Sequence, residues 1–476
     1  MKHIGTIVLL TASIALVGSA AEGGGEFGAF AASTEWTPPT DPEVQARLRE
    51  WQDWKLGLLI HWGTYSQWGI VESWSLVTTR HSWNKRPERF AGLDDNAYRK
   101  VYEELPASFN PTRFDAGKWA AAARDAGVKY ALLTSKHHDG FCMFDTATTD
   151  YKITSPKCAF HADPRADAIR EFSEAFRGQG LRTGIYFSKA DWHHPDFWLP
   201  ELPPGSGQGP NYNPLSQPER WRRFKEFTWK QVEELMSGYG KQDILWLDAG
   251  SVRPPNADID MNGLAAMSRR HQPGLIVVDR TVHGPNENYV TPEGEIPERY
   301  LPYPWETCMS MDKKGWTWRP NSEFRSAGTL IRNLCRIVAR GGNYLIGIGP
   351  DGSGEFSPVV YERLSQIGAW LRLNGEAIFE TRPIAPHERG DCVFTQRRDG
   401  TTYAIVLAKD DGAGPPEKVV LPAELLAGPV EITLLGHGVL PSGPGGEIAI
   451  PESVRNKPPC EHAWTLKLAR PRKQPQ

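Results

Sequence analysis

Apolar and polar positions along this chain follow a repeating order, in which a short apolar run gives way to a longer amphipathic stretch and then to another apolar run. Short runs rich in Leu, Ile and Val and bounded by turn residues read as strands buried on both faces. Stretches with apolar residues every three or four positions read as helices. Strands are predicted at residues 56–60, 128–134, 182–187, 243–247, 275–278 and 344–348, and helices at 114–126, 165–177, 219–236, 327–339 and 359–373. Asp115 opens the first of these helices and Gly127 closes it, while the last stops at Asn374-Gly375. Strands that alternate with helices imply parallel pairing through helical crossovers, so residues 41–380 are predicted to form a (β/α)8-like TIM barrel, irregular in its middle. The Pro/Gly-rich stretch 203–214 reads as a surface loop inside that barrel, because the alternation resumes beyond it.

From about Thr381 the order changes to short strands at 392–396, 402–407, 419–421, 430–435 and 463–468, separated by Gly and Pro. A C-terminal β-sandwich over 381–476 is the expectation. A chain of 476 residues exceeds what one core usually holds, which agrees with two domains. At the other end, Met1-Lys2-His3 precedes an apolar run to Val17 and the small residues Gly18-Ser19-Ala20-Ala21. This is the pattern of a signal peptide, taken as 1–20, followed by a lead-in at 21–40. The run is short for a membrane span, and no later segment reaches spanning length. An exported protein, secreted or periplasmic and without membrane insertion after cleavage, is expected. Asn110-Pro111-Thr112 is the one glycosylation-like tripeptide and its proline disqualifies it, which favours a bacterial setting.

Composition narrows the function classes. A formal net charge of -3 gives no electrostatic footprint for nucleic acid, so a small neutral substrate fits better. Eighteen Trp residues suit a sugar site, where indole faces pack against pyranose rings, although most Trp in any chain are core. The six Cys are spread thinly, with neither a disulfide framework nor zinc-site spacing, and no disulfide is predicted.

In a (β/α) barrel the active site lies at the C-terminal ends of the strands, so polar residues at strand exits are the candidates. They are His61 and Trp62, Lys136-His137-His138-Asp139-Gly140, Tyr186 and Ser188, Asp248, and Arg280. Asp248 is the sharpest of these, since a carboxylate ending Ile244-Leu245-Trp246-Leu247 must be compensated by partners or used in chemistry. Paired-carboxylate sugar hydrolysis needs a second acid nearby. Glu287, Glu293, Glu295, Glu298 and Glu306 are available; Glu293 lies in a proline-stiffened segment, and Glu306 follows Trp305 at an expected strand end. The residues alone leave both open. His61, His137 and His138 invite a metal reading. Adjacent side chains on a strand point to opposite faces, however, so one of the pair would miss the ion. They are read instead as donors to sugar hydroxyls, with one of the adjacent pair open to a core role. No metal and no cofactor are expected.

Leu59-Ile60-His61-Trp62-Gly63, Lys136-His137-His138-Asp139-Gly140-Phe141, Gly184-Ile185-Tyr186-Phe187-Ser188, Leu245-Trp246-Leu247-Asp248, Val278-Asp279-Arg280, Pro304-Trp305-Glu306, Gly341-Gly342-Asn343-Tyr344-Leu345 and Asn374-Gly375-Glu376-Ala377-Ile378 together resemble the α-L-fucosidases of glycoside hydrolase family 29. The resemblance spans residues 51–383 in order and spacing. It implies a retaining hydrolase acting on a fucosylated oligosaccharide or glycoconjugate, with Asp248 as nucleophile and Trp246 beside it. His61, His137, His138, Tyr186 and Arg280 would hold the sugar, Glu293 would be the acid/base with Glu306 as fallback, and Trp316 or Trp318 would pack on the fucose methyl group. The usual Glu-Trp-Tyr of the family stands here as Glu72-Ser73-Trp74-Ser75, leaving Glu72 and Trp74 as alternatives for the sugar contact. A glycosidase of the same fold acting on another sugar, a carbohydrate-binding protein without catalysis, and a metal-dependent amidohydrolase are the rival readings.

Overall fold

The computed structural model describes residues 36–78 and 83–470; the expected signal peptide and most of the lead-in lie outside the described residues. Seven parallel strands form the first sheet: β1 (Leu56–Ile60), β2 (Tyr130–Lys136), β3 (Arg182–Ser188), β4 (Ile244–Asp248), β5 (Ile276–Asp279), β6 (Glu306–Ser310) and β7 (Asn343–Ile348). Their spatial order is β5-β4-β3-β2-β1-β7-β6. Nearly every residue of these strands is buried, because the barrel interior covers one face and helices cover the other.

Helices α1 (Pro42–Trp54), α2 (Asp95–Glu103), α3 (Ala116–Asp125), α4 (Ala168–Gly178), α5 (Pro218–Gly238), α6 (Met261–His271), α7 (Ala327–Ala339) and α8 (Pro358–Asn374) make up the outer layer. The N-terminal signals act as read: the Asp115 side chain accepts from Lys118 N at 2.9 Å and caps α3. Gly127 follows with φ +83, a conformation that favours glycine. The sequence reading missed α1, α2, α6 and β6. In β6, Glu306, Thr307 and Ser310 break the apolar run that identifies the other strands. Glu306 accordingly opens β6, at the end of the barrel opposite the strand exits, and does not end a strand as expected.

Strands β5 and β6 are not hydrogen-bonded to each other. Residues 288–294 fill the seam between them. Asn288 N donates to Val277 O at 3.0 Å, and the Asn288 side chain accepts from Val277 N at 2.9 Å. On the other side, Glu306 N donates to Val290 O at 2.8 Å, Cys308 N to Pro292 O at 3.2 Å, and Gly294 N to Cys308 O at 2.9 Å. Pro292 has no N–H to give, so this segment closes the barrel as an irregular eighth element. That irregularity carries Glu293 alongside the middle of β6.

The C-terminal region holds β8 (Thr381–Arg389), β9 (Cys392–Arg397), β10 (Thr402–Leu407), β11 (Lys418–Val420), β12 (Glu431–Leu434), β13 (Gly438–Leu440), β14 (Glu447–Ala449) and β15 (Ala463–Ala469). Six of these form an antiparallel sheet in the order β13-β12-β15-β10-β9-β8, and β11 pairs with β14. Strand alternation sorts the apolar residues into two layers. Val393, Tyr403 and Ile405 join the barrel core, while Phe394, Ala404 and Val406 join a second core with Val419, Leu434 and Leu466. The Trp370 indole on α8 donates to Ala463 O at 2.9 Å across the junction. All six cysteines carry free thiols. Among the described residues no helix is long and apolar enough to cross a membrane.

Candidate active site

A small cavity opens at the strand exits, walled by Leu59, His61, Glu72, Trp74, His137, Tyr186, Gln208, Trp246, Asp248, Arg280, Glu293 and Trp316. Larger open clefts lie between α3 and α8 and along α5, but they run over outer helices and gather no converging set of buried acids, imidazoles and indoles. Asp248 ends β4 with both carboxylate oxygens occupied. Tyr186 OH donates to Oδ2 at 2.6 Å, and an Arg280 terminal nitrogen donates to Oδ1 at 3.0 Å. Burial by itself would raise the Asp248 pKa; the Arg280 guanidinium, His138 and the Tyr186 hydroxyl outweigh it and hold the carboxyl at about 2. Asp248 is therefore an anion at any ordinary pH. Burial and the neighbouring Asp248 charge push the Tyr186 phenol well above its usual range, so it remains a donor.

Arg280 links two acids. Its second terminal nitrogen donates to Glu293 Oε2 at 2.5 Å, and its Nε donates to Thr291 Oγ1 at 3.2 Å. The guanidinium lies 4.4 Å above the Trp246 ring, which fixes its plane. Glu293 also accepts from the Trp316 indole at 3.1 Å. A single planar cation thus holds the Asp248 carboxylate from β4 and the Glu293 carboxyl group from the barrel-closing segment on one side of the cavity. Bridging two acids through separate, fixed donors uses the guanidinium fork and not a point charge.

The three histidines are neutral. Burial, outweighing the attraction of Asp248, lowers His61 to about 3 and His138 to about 4, and it lowers His137 well below its usual value. A neutral imidazole offers one donor and one acceptor, the pair a sugar hydroxyl can use. His137 and His138 both lie beyond Lys136, the last residue of β2, so strand alternation does not separate them. Their rings sit 4.1 Å apart, which corrects the expectation that one of them faces away. His137 Nδ1 is 2.6 Å from Ser73 Oγ, and His138 Nδ1 is 2.7 Å from Ser188 Oγ. His138 nonetheless stands behind the cavity wall, with Nε2 3.8 Å from Asp248 Oδ2. That is the core placement left open for one of the pair. Lys136 points away from the cavity into a buried ion pair with Asp191 at 3.1 Å.

Candidate ligand atoms of His137, His138 and Asp248 all lie within 4.8 Å of one another, a spacing that a cation could use. The Arg280 guanidinium already neutralises Asp248, and a dication there would face that fixed charge. The donor set therefore fits a metal poorly.

Glu72 is 1% exposed and sits at φ +35, and burial raises its pKa to about 8 despite the opposing pull of Arg319. It faces the cavity as a neutral acid at neutral pH. Trp74 forms another part of the wall, edge-on to His138 at 5.3 Å, so both alternatives from the sequence reach the pocket. Trp316 lines the cavity, whereas Trp318 packs near Gly69. Glu306 is absent from the wall: it is fully buried, Tyr130 OH donates to it, and burial raises its pKa to about 7. Gln208 was missed, because its loop carried only the Gly/Pro signal of a surface turn.

A sequence model of the family Alpha-L-fucosidase matches residues 27–376. The chain is 30% identical over 459 residues to the plasma alpha-L-fucosidase of Homo sapiens, covering 90% of this chain and 92% of that protein. It is 29% identical over 464 residues to the tissue alpha-L-fucosidase of Rattus norvegicus, covering 91% and 92%. Among solved structures it is similar to alpha-L-fucosidase isoenzyme 1 from Paenibacillus thiaminolyticus, with TM-score 0.71, 27% identity and coverage of 90% and 99%. The alpha-fucosidase of Thermotoga maritima in complex with a mechanism-based inhibitor superposes with TM-score 0.70 at 25% identity, covering 91% and 100%. With a family match across the whole barrel and relatives aligned over nearly their full length, the chain belongs to the α-L-fucosidases of glycoside hydrolase family 29.

Proposed function

We propose that this α-L-fucosidase releases terminal fucose from fucosylated glycans by retaining double displacement, with Asp248 as nucleophile and Glu293 as acid and then base. The observation that carries the proposal is the shared guanidinium of Arg280, 3.0 Å from Asp248 and 2.5 Å from Glu293. One guanidinium keeps the two carboxyl groups on the same side of the cavity. We take them as a retaining pair, which works at about 5–5.5 Å, and not as an inverting pair, which sits at about 6.5–9.5 Å with a water between. Asp248 attacks the anomeric carbon and forms an ester bond as the glycosidic C–O bond breaks, and the Glu293 proton passes to the departing oxygen. Water then attacks the same carbon, giving its proton to Glu293 and freeing the Asp248 carboxylate with α-L-fucose. His61, His137, Tyr186 and Glu72 supply hydroxyl partners, and Trp74, Trp246 and Trp316 supply apolar faces. Export to the periplasm or the medium, guided by residues 1–20, is part of the same proposal.

Asp248→Ala is expected to abolish turnover with the fold intact, and added azide is expected to restore some β-fucosyl azide. An alanine variant with near-normal activity would refute the assignment.

A further inference from the structure

Gln208 reaches the cavity from the loop between β3 and α5. It is half-buried, whereas His61, Tyr186 and Trp246 beneath it are at most 4% exposed, so it stands at the mouth and they form the floor. Its carboxamide makes no hydrogen bond to another described residue. The loop on either side is nevertheless fixed. Thr78 N donates to Gly205 O at 3.1 Å, and the Trp198 indole donates to Gly209 O at 3.1 Å. Asn211 accepts from Leu199 N at 2.8 Å and donates back to Leu199 O at 3.2 Å. Trp198 stacks on Trp192 at 4.9 Å, and Trp192 in turn packs 5.0 Å from His138 and 5.6 Å from Trp74. A stack of indoles therefore connects the loop to the site.

From this placement we infer that Gln208 binds the first sugar ring of the leaving group and so helps to set which fucosylated saccharides are cleaved. The inference rests on the reading in which fucose occupies the floor beside Asp248. In that pose the bond to be broken points out past Glu293, and the departing saccharide must cross the mouth. A carboxamide offers two donors and an acceptor without charge, which suits the hydroxyls of a neutral saccharide. Being unused in holding its own loop, it loses no internal bond when it engages them. The flanking Gly207 and Gly209 have no heavy atom closer than 3.9 Å to an added Cβ, which leaves room for a ring beside the loop.

The test compares Gln208→Ala with the unmodified enzyme on fucosyl disaccharides and on fucosyl fluoride, whose leaving group is too small to reach the mouth. Loss of neutral hydrogen bonds to the departing sugar is expected to lower kcat/KM on at least one disaccharide by about 5- to 10-fold, and on the fluoride by no more than about 2-fold. Equal losses on both substrate types would place Gln208 on the fucose itself and overturn the inference. Unchanged values on every disaccharide would overturn it as well. In either case, release of fucose by the unmodified enzyme leaves the fucosidase reading standing.

Discussion

The residues alone leave Glu293 and Glu306 both open as the acid/base and the family resemblance favours Glu293; the structure gives the two different environments whose consequences can be measured. Glu293 faces the cavity, whereas Glu306 is sealed at the start of β6 beneath it. Replacing either by glutamine keeps shape and one acceptor while removing the transferable proton. General acid catalysis contributes about 10²- to 10⁴-fold, or roughly 3–5 kcal/mol of barrier, when the leaving group is a poor one. Glu293→Gln is therefore expected to lower kcat/KM by that factor on fucosyl disaccharides. The drop should be far smaller on fucosyl fluoride, whose departure needs little protonation. Arg280 keeps Asp248 as its partner in this variant, so the nucleophile stays in place. Glu306→Gln alters one acceptor for the Tyr130 hydroxyl, a change of about 1 kcal/mol in stability that carries no dependence on the leaving group. Steady-state kinetics on the two substrate types decide the matter. If Glu306→Gln showed the leaving-group pattern and Glu293→Gln did not, the assignment and the geometric reasoning behind it would both be wrong.

Other expectations follow from the charges around the pocket. Arg280→Lys should cost at least about 100-fold in kcat/KM, because one ammonium cannot replace the fork that spans both acids; a near-normal value would refute the claim that the shared guanidinium matters. His61 and His138 are held neutral, with pKa values lowered to about 3 and about 4. The unfolded chain binds their protons first as pH falls below about 6.5, so stability is lost from there down to the folded pKa values, by roughly 5 and 3 kcal/mol at the limit. Denaturant titrations from pH 7 to pH 4 should show that loss, and His61→Asn should flatten it. Glu72 works in the opposite sense: raised to about 8, it stays protonated in the folded protein while the unfolded chain releases its proton. Stability should therefore decline between about pH 4.5 and pH 8, and Glu72→Gln should remove that part of the decline.

The residues legible in the sequence share one physical signature, a polar group ending an apolar strand. Asp248, His61, Tyr186 and Arg280 were found in this way, because strands buried on both faces make their polar exits conspicuous. The same signature failed at β6, where Glu306, Thr307 and Ser310 are polar inside the strand and the exit cannot be seen. It also misplaced Glu306 at a strand end. The alternation rule separated His137 from His138 only on the premise that β2 included them, and β2 stops at Lys136. Helix α6 was hidden by Gly263 in its first turn and by a cap residue, Asp260, at φ +57. Gln208 could not be found, since nothing in a Gly/Pro-rich loop says which way it folds over a barrel.

The central claim is that one aspartyl oxygen becomes bonded to the anomeric carbon of fucose. Incubation with 2-fluoro-fucosyl fluoride, followed by proteolysis and mass mapping of the labelled peptide, tests it most directly. The account predicts the label on Asp248 at one sugar per chain. A label on Glu293, Glu306 or any other side chain would contradict it.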